Sequence, residues 1–153
     1  MDEFDRKILT CLQADASLPL AEIADRVGLS TTPCWRRIQN LEKSGIIKGR
    51  VAVLDPVKLN VGVTVFVAVK TREHSQAWLE SFAAHVDSIE EVMEFYRMSG
   101  DVDYMLRVVV PDIAAYDLVY KRLIAVGGLS DVSSIFAMER IKETTALPLA
   151  YAS

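Results

Sequence analysis

Apolar residues recur every three or four positions through the first fifty residues, which predicts three amphipathic helices. The first begins near Asp2 or Glu3, the second opens at Pro19, and the third runs from Ser30 to Gly45. Ser30 suits a helix N-cap, and Gly45 suits the left-handed position that ends a helix. We expect three buried stripes: Phe4, Ile8, Leu9 and Leu12; Leu20, Ile23, Ala24 and Val27; and Cys34, Ile38 and Leu41. Three short helices with a glycine turn before the last predict a helix-turn-helix.

Residues 46–54 are predicted to form a β-ribbon after the third helix. Lys48 and Arg50 flank a glycine there, so the ribbon is either a wing that contacts DNA phosphates or a plain hairpin. The pattern fits both.

The pattern changes beyond residue 60, where strict alternation replaces helical spacing. Residues 55–60 combine proline with turn formers and are the predicted linker. After it, strands are predicted at 61–70, 89–98, 104–110 and 132–140, with helices at 75–86 and 113–126. This order is βαββαβ, that of a ferredoxin-like sheet with two helices on one face. The fold class is therefore α+β, with a winged helix-turn-helix domain at 1–54 and a sheet domain at 61–153.

One face of the predicted sheet has no helix to cover it. Its apolar positions must be buried by something else, and a second copy of the same sheet is the simplest partner. We therefore expect a homodimer.

The charge is divided unevenly along the chain. The net charge is −4, yet residues 34–50 hold five basic residues and one acidic residue. A local positive surface on a helix-turn-helix is typical of DNA binding, although a basic helix face alone also suits a solvated surface. Arginine, asparagine and threonine side chains can bind base edges in the major groove. The candidate DNA contacts are Ser30, Thr31, Thr32, Arg36, Arg37, Asn40, Lys43, Lys48 and Arg50.

Other kinds of protein are disfavoured. No apolar run reaches the length of a membrane span, and the acidic first residues do not suit a signal peptide, so we expect a soluble, cytoplasmic protein. Cys11 and Cys34 are interpreted as reduced, packed thiols, and Trp35 and Trp78 as packing residues. The residues predict no metal site, no catalytic motif and no cofactor.

The whole chain resembles the Lrp/AsnC (leucine-responsive regulator/asparagine synthetase regulator) family of transcription factors. The matching segments are residues 5–9, 28–30, 37–38, 41–42, 45–47, 99–104 and 144–149. The resemblance implies a DNA-binding domain joined to a dimerising sheet domain that senses amino acids and often assembles to octamers.

The same resemblance implies an effector site between subunits, near residues 100–104. The candidate residues are Met98, Gly100, Asp101, Asp103, Tyr104 and Ser134. Val102 stands where the family commonly has an aromatic residue, which puts the shape of the pocket in doubt. From the residues alone, a glycine and two aspartates between strands also fit a plain hairpin turn whose carboxylates cap backbone N–H groups.

Two other functions compete with regulation. The sirohaem decarboxylases resemble the same family and would need a cationic, histidine-containing pocket. This chain has two histidines and an intact basic third helix, which favours a DNA-binding regulator. A sheet domain that only binds a metabolite would leave the basic helix unexplained.

Overall fold

Three helices form the first fifty residues: α1 (Glu3–Ala14), α2 (Leu20–Val27) and α3 (Thr31–Lys43). They are seen in a computed structural model that describes residues 1–152. Asp2 caps α1, because its carboxylate accepts the Asp5 backbone N–H at 2.9 Å while Asp5 accepts the Asp2 N–H at 3.2 Å. Gly28, at φ 75°, ends α2 in the left-handed conformation and turns the chain into α3. The predicted helix-turn-helix is confirmed.

The helices enclose one small core. Its buried residues are Ile8, Leu9, Ile23, Ala24, Val27, Cys34, Ile38 and Leu41. Burial raises the pKa of the Cys34 thiol, and neither Cys34 nor Cys11 forms a disulfide. For these two cysteines the predicted packed thiols are confirmed.

The predicted β-ribbon at 46–54 is wrong. These residues form no strand in the structure. Val51 is 86% exposed and Val53 is 72% exposed, so apolar alternation is present without a neighbouring strand to pair with. An isolated two-stranded ribbon buries too little surface to be stable by itself.

The end of the described chain packs with the helices. Residues 141–152 group with residues 1–53 in one unit, which we call the helical unit, whereas residues 54–140 form the sheet unit. The Gln13 side chain accepts the Leu147 N–H at 2.6 Å and donates to the Leu147 carbonyl at 3.2 Å. Leu149 begins a short 3-10 helix and packs against the helical core. The sequence analysis instead places these residues in the sheet domain predicted at 61–153. Ser153, the last residue of that predicted domain, lies outside the described residues.

The sheet unit has the predicted βαββαβ order. Its elements are β1 (Val63–Thr71), α4 (Gln76–Asp87), β2 (Val92–Arg97), β3 (Tyr104–Val110), α5 (Ile113–Ile124) and β4 (Leu129–Phe136). The strands are antiparallel in the order β2-β3-β1-β4. On one face, Val65, Val67 and Val69 of β1 are fully buried in a core shared with both helices. β4 starts and ends earlier than the strand predicted at 132–140, and its pairing with β1 runs from Leu129 to Phe136.

The opposite face of the sheet is open in this chain; we call it the outer face. Phe66 lies there between Arg107 and Ile135, its neighbours in register on the adjoining strands. Ile135 is 55% exposed. Arg107 forms an ion pair with Glu94 at 2.9 Å, and the hydrogen bond from Arg107 lowers the pKa of Glu94. The outer face therefore combines exposed apolar side chains with an ion pair that is already satisfied.

Candidate DNA-binding surface and effector turn

One side of α3 is fixed against the helical core, and the other side is exposed. Cys34, Ile38 and Leu41 are its buried residues. Because successive helical residues are about 100° apart, Thr32, Arg36 and Lys43 point away from that stripe. All three are exposed, as are Thr31 and Asn40. The helix thus presents hydroxyl, guanidinium, amide and ammonium groups to the solvent.

Ser30 occupies the N-cap of α3, as predicted. Its backbone is extended, at φ −76° and ψ 161°, but its side chain makes no capping hydrogen bond. The N-terminal N–H groups of α3 and the Ser30 hydroxyl are therefore available to an anion such as a phosphate.

Arg37 does not belong to the exposed surface. Its guanidinium lies 2.6 Å from an Asp2 carboxylate oxygen and 2.8 Å from an Asp5 oxygen, and it lies over the Phe4 ring at 5.3 Å from the centroid. The hydrogen bond to Asp5 is the largest cause that raises the pKa of Arg37. Arg37 thus holds α3 against the start of α1, and its predicted DNA contact does not fit this geometry.

The two basic residues beyond α3 differ in their surroundings. Lys48 is exposed. Arg50 forms an ion pair at 3.0 Å with Glu42 of α3, whose other carboxylate oxygen accepts the Gln39 amide at 2.9 Å. The Arg50 side chain remains 47% exposed, so this pair ties the segment after α3 to the helix without burying the charge.

Trp35 was interpreted as a packing residue, and that interpretation is wrong. The side chain is 51% exposed on α3. For Trp78 the same interpretation is confirmed, because its ring stacks on Phe82 with 4.9 Å between centroids.

The candidate effector turn joins β2 to β3. Met98, Gly100 and Asp101 are exposed there. Gly100 has φ 118°, a conformation that only glycine adopts readily. These three residues can therefore contact a ligand without disturbing the strands.

Asp103 ties this turn to the end of β1. Its carboxylate accepts the Thr71 backbone N–H at 2.8 Å. Its own N–H donates to the Val69 carbonyl at 3.0 Å, and its carbonyl accepts the Met98 N–H at 2.8 Å. The carboxylate thus caps a backbone group, as the plain-turn alternative proposed, and it also fixes the shape of the exposed part of the turn.

Tyr104 and Ser134 are engaged elsewhere. Tyr104 is 5% exposed and packs in the sheet core beside Phe82 and Phe95. The Ser134 hydroxyl is hydrogen-bonded to the Tyr116 hydroxyl of α5. The structure therefore does not bring these two predicted effector residues together with the exposed turn.

Sequence reasoning missed the residues that adjoin Asp103. The Thr71 hydroxyl lies 2.9 Å from the Gly128 carbonyl, which also accepts the Arg72 N–H at 3.1 Å. A Cβ on Gly128 would lie 2.6 Å from Nε1 of Trp78, so only glycine fits there. The paired glycines at 127–128 were the available signal, because two consecutive glycines often mark a turn with positive φ.

Two findings on other site types concern residues 1–152. No group of three or more His, Cys, Asp or Glu side chains in that range could hold a metal ion. None of the helices in that range is both long enough and apolar enough to cross a membrane.

Comparison with known proteins agrees with this architecture. Residues 64–147 match the model of the Lrp/AsnC ligand-binding domain, and residues 1–48 match a winged helix-turn-helix DNA-binding model. The DNA-binding transcriptional activator DecR of Escherichia coli is 51% identical over 150 residues, which are 97% of this chain and 99% of that protein.

Two solved structures extend the likeness to three dimensions. An AsnC family transcriptional regulator from Agrobacterium tumefaciens is 63% identical, with a TM-score of 0.97 over 100% of both chains. A transcriptional regulator from Neisseria meningitidis, solved in complex with L-methionine, is 36% identical, with a TM-score of 0.93 over 98% of this chain and 97% of that one. These proteins are regulators and give no support to the decarboxylase alternative. The chain described here belongs to the Lrp/AsnC family of transcription regulators, with a helix-turn-helix DNA-binding domain and a ligand-binding sheet domain.

Proposed function

We propose that this protein regulates transcription by inserting α3 into the DNA major groove at preferred sequences. Base edges are contacted by Thr31, Thr32, Arg36 and Asn40. Phosphates are contacted by Ser30, Lys43, Lys48 and Arg50. The observation that carries this proposal is the exposure of Thr32, Arg36 and Lys43 on the side of α3 opposite its buried stripe.

Arg37 has a different role in this proposal. It positions α3 through its two ion pairs with α1. A guanidinium that is already held by two carboxylates would have to give up both before it could bind a base or a phosphate.

The outer face of the sheet is the proposed dimer interface. A monomer would leave Phe66, Tyr96 and Ile135 in water, with exposed fractions of 38%, 52% and 55%. Pairing two copies buries these side chains and gives the two-fold symmetry that half-sites on DNA require. Assembly of dimers to an octamer is the further step that the family resemblance implies.

The exposed turn at 98–101 is the proposed place of an amino acid or related small metabolite, at the boundary between subunits. Backbone N–H groups of the turn can hold the ligand carboxylate, and Asp101 can hold its ammonium. The L-methionine complex of the Neisseria meningitidis relative supports an amino acid as the class of effector.

The domain boundaries belong to the same proposal. Residues 1–54 bind DNA, residues 55–60 are the linker, and the effector and oligomerisation domain begins at residue 61. Within the linker, the Asp55 carboxylate accepts the Val57 N–H at 2.9 Å and so forms a local turn.

The test is selection of bound fragments from genomic DNA by the full chain, with and without each of the twenty amino acids. We expect one enriched sequence pattern and at least one amino acid that changes its occupancy. The matched variants Arg36→Ala and Arg72→Ala each remove one exposed arginine, and only Arg36→Ala should reduce the enrichment. Recovery of random fragments by the parent protein would overturn the proposal.

A further inference from the structure

Trp35 exposes a large aromatic ring on the recognition helix. The side chain is 51% exposed. It lies about 100° around α3 from buried Cys34, one turn after Thr31 and Thr32 and next to Arg36. Its ring therefore borders the surface that carries the proposed base contacts.

Within residues 1–152, the Trp35 ring has no partner that would explain why a large aromatic residue stands at an exposed position. Trp35 forms no ring stacking, cation–π contact or side-chain hydrogen bond there. Trp78, the other tryptophan, stacks on Phe82 and donates its Nε1 hydrogen to the Gly127 carbonyl at 3.4 Å. Tryptophans in folded proteins are mostly buried, and a tryptophan buries roughly 150–250 Å² when it packs. At Trp35 about half of that apolar surface is left for a partner outside the fold.

We propose that Trp35 determines specificity by packing its indole ring against a thymine methyl group in the major groove. This inference rests on the proposed DNA binding. The thymine C5 methyl is the apolar group that a base pair presents in that groove, and cytosine lacks it. Arg36, the next residue, points about 100° further round the helix, so the two side chains contact adjacent base pairs. One contact favours a thymine by its methyl group, and the other favours a guanine by its two acceptors.

A contact with a thymine methyl group can be distinguished from a contact that does not depend on the DNA sequence. A ring that packed on deoxyribose would strengthen binding to every sequence equally. A ring that packs on a methyl group strengthens binding only where a thymine stands. Replacing that thymine by deoxyuridine removes the methyl and leaves the base pairing unchanged, which isolates the contact.

The experiment first selects the preferred site from a random duplex library with the full chain. The dissociation constant is then measured for that site and for duplexes in which each thymine in turn is deoxyuridine. The variants are Trp35→Ala and Trp35→Leu, with Tyr151→Ala as the control, because Tyr151 is an 88% exposed aromatic residue elsewhere in the helical unit. Circular dichroism checks that each variant keeps its helices.

For the parent protein, we expect deoxyuridine at one or two adjacent positions to weaken binding about fourfold, the factor that corresponds to burial of one methyl-sized group. In Trp35→Ala the same substitution should have no effect, and binding to the preferred site should fall at least tenfold while binding to random DNA changes less than twofold. Trp35→Leu should keep part of the methyl preference. Tyr151→Ala should behave as the parent.

Four results would overturn the inference. Equal losses on preferred and random DNA in Trp35→Ala would assign the ring to the sugar-phosphate backbone. A deoxyuridine effect that persists in Trp35→Ala would assign the methyl contact to another residue. If the parent selects no site, the proposed function fails together with the inference; if Arg36→Ala loses the preferred site while Trp35→Ala keeps it, only the inference fails.

Discussion

Substitutions at Asp103 test whether its carboxylate holds the turn in shape or contacts the ligand directly. Asp103→Ala removes the acceptor of the Thr71 N–H, a bond of 2.8 Å. Thr71 is 6% exposed, so its N–H is left without a partner in a poorly hydrated place. A hydrogen bond to a charged group contributes about 1.5–3 kcal/mol. Since Asp103 is only partly buried, we expect Asp103→Ala to lower the free energy of unfolding by about 2 kcal/mol.

Asp103→Asn keeps an oxygen acceptor but loses the charge. We expect it to lower the free energy of unfolding by about 1 kcal/mol, because a neutral hydrogen bond is weaker than a charged one. Effector binding should largely persist in Asp103→Asn and be lost in Asp103→Ala, since the carboxylate acts by holding the turn. Asp101→Ala is the control for stability alone, because Asp101 is itself proposed to hold the ligand ammonium; its exposed side chain predicts a stability change within about 0.5 kcal/mol.

Urea unfolding and calorimetric titration with the selected amino acid measure the two effects separately. For a slope of about 2 kcal/mol/M, Asp103→Ala should move the unfolding midpoint by about 1 M. An unchanged midpoint would refute the assignment of the carboxylate to the turn. If Asp103→Asn abolishes ligand binding while it keeps nearly full stability, the carboxylate contacts the ligand directly and the turn-holding account of the effector response is wrong.

Three further predictions concern the other surfaces. Arg36→Ala should weaken the preferred site by about 1–3 kcal/mol more than random DNA, whereas Lys48→Ala should weaken both alike and lower the salt slope by about 0.9, as measured by fluorescence anisotropy. Arg37→Ala should lower the unfolding temperature in calorimetry, which Arg36→Ala should leave unchanged. The pKa of the Asp2 carboxylate is lowered, chiefly by the hydrogen bond from the Asp5 backbone and also by Arg37, so the stability that the Asp2 carboxylate contributes is present above the usual aspartate pKa and is lost as the pH falls through the folded-state pKa. If the proposed outer-face dimer forms, light scattering should show a dimer for the parent protein and a monomer for Ile135→Glu, and a dimer that survives this substitution would contradict the outer-face interface.

Local pattern predicted most of the secondary structure because each element is specified by its own residues. The valines of β1 alternate, and all three at 65, 67 and 69 are fully buried. Residues 46–54 have the same kind of alternation but form no strand, because a strand also needs a neighbouring strand to pair with and this chain supplies none there. Periodicity shows which face of a helix or strand is apolar, but it does not show which other element covers that face.

The site predictions were limited by contacts that are distant in the sequence. The charge of Arg37 was visible, but its pairing with Asp2 and Asp5 depends on how α1 crosses α3. Tyr104 was assigned to the effector site because the family resemblance places that site near residues 100–104, yet the pleat of β3 directs it into the core. In each case the residue type was informative, and its direction was set by the fold.

Residues 141–152 pack with α1, so the helical unit consists of two separate stretches of the chain. These two stretches are made at different times during biosynthesis. Residues 1–53 leave the ribosome first, but their contacts with Leu147 and Leu149 form only after residues 54–140 have been made. At about 5–20 residues per second, that interval lasts roughly 4–17 seconds. During this time Gln13 and the core beneath Leu149 are open to water, so the DNA-binding half of a nascent chain is completed only when its sheet is already present.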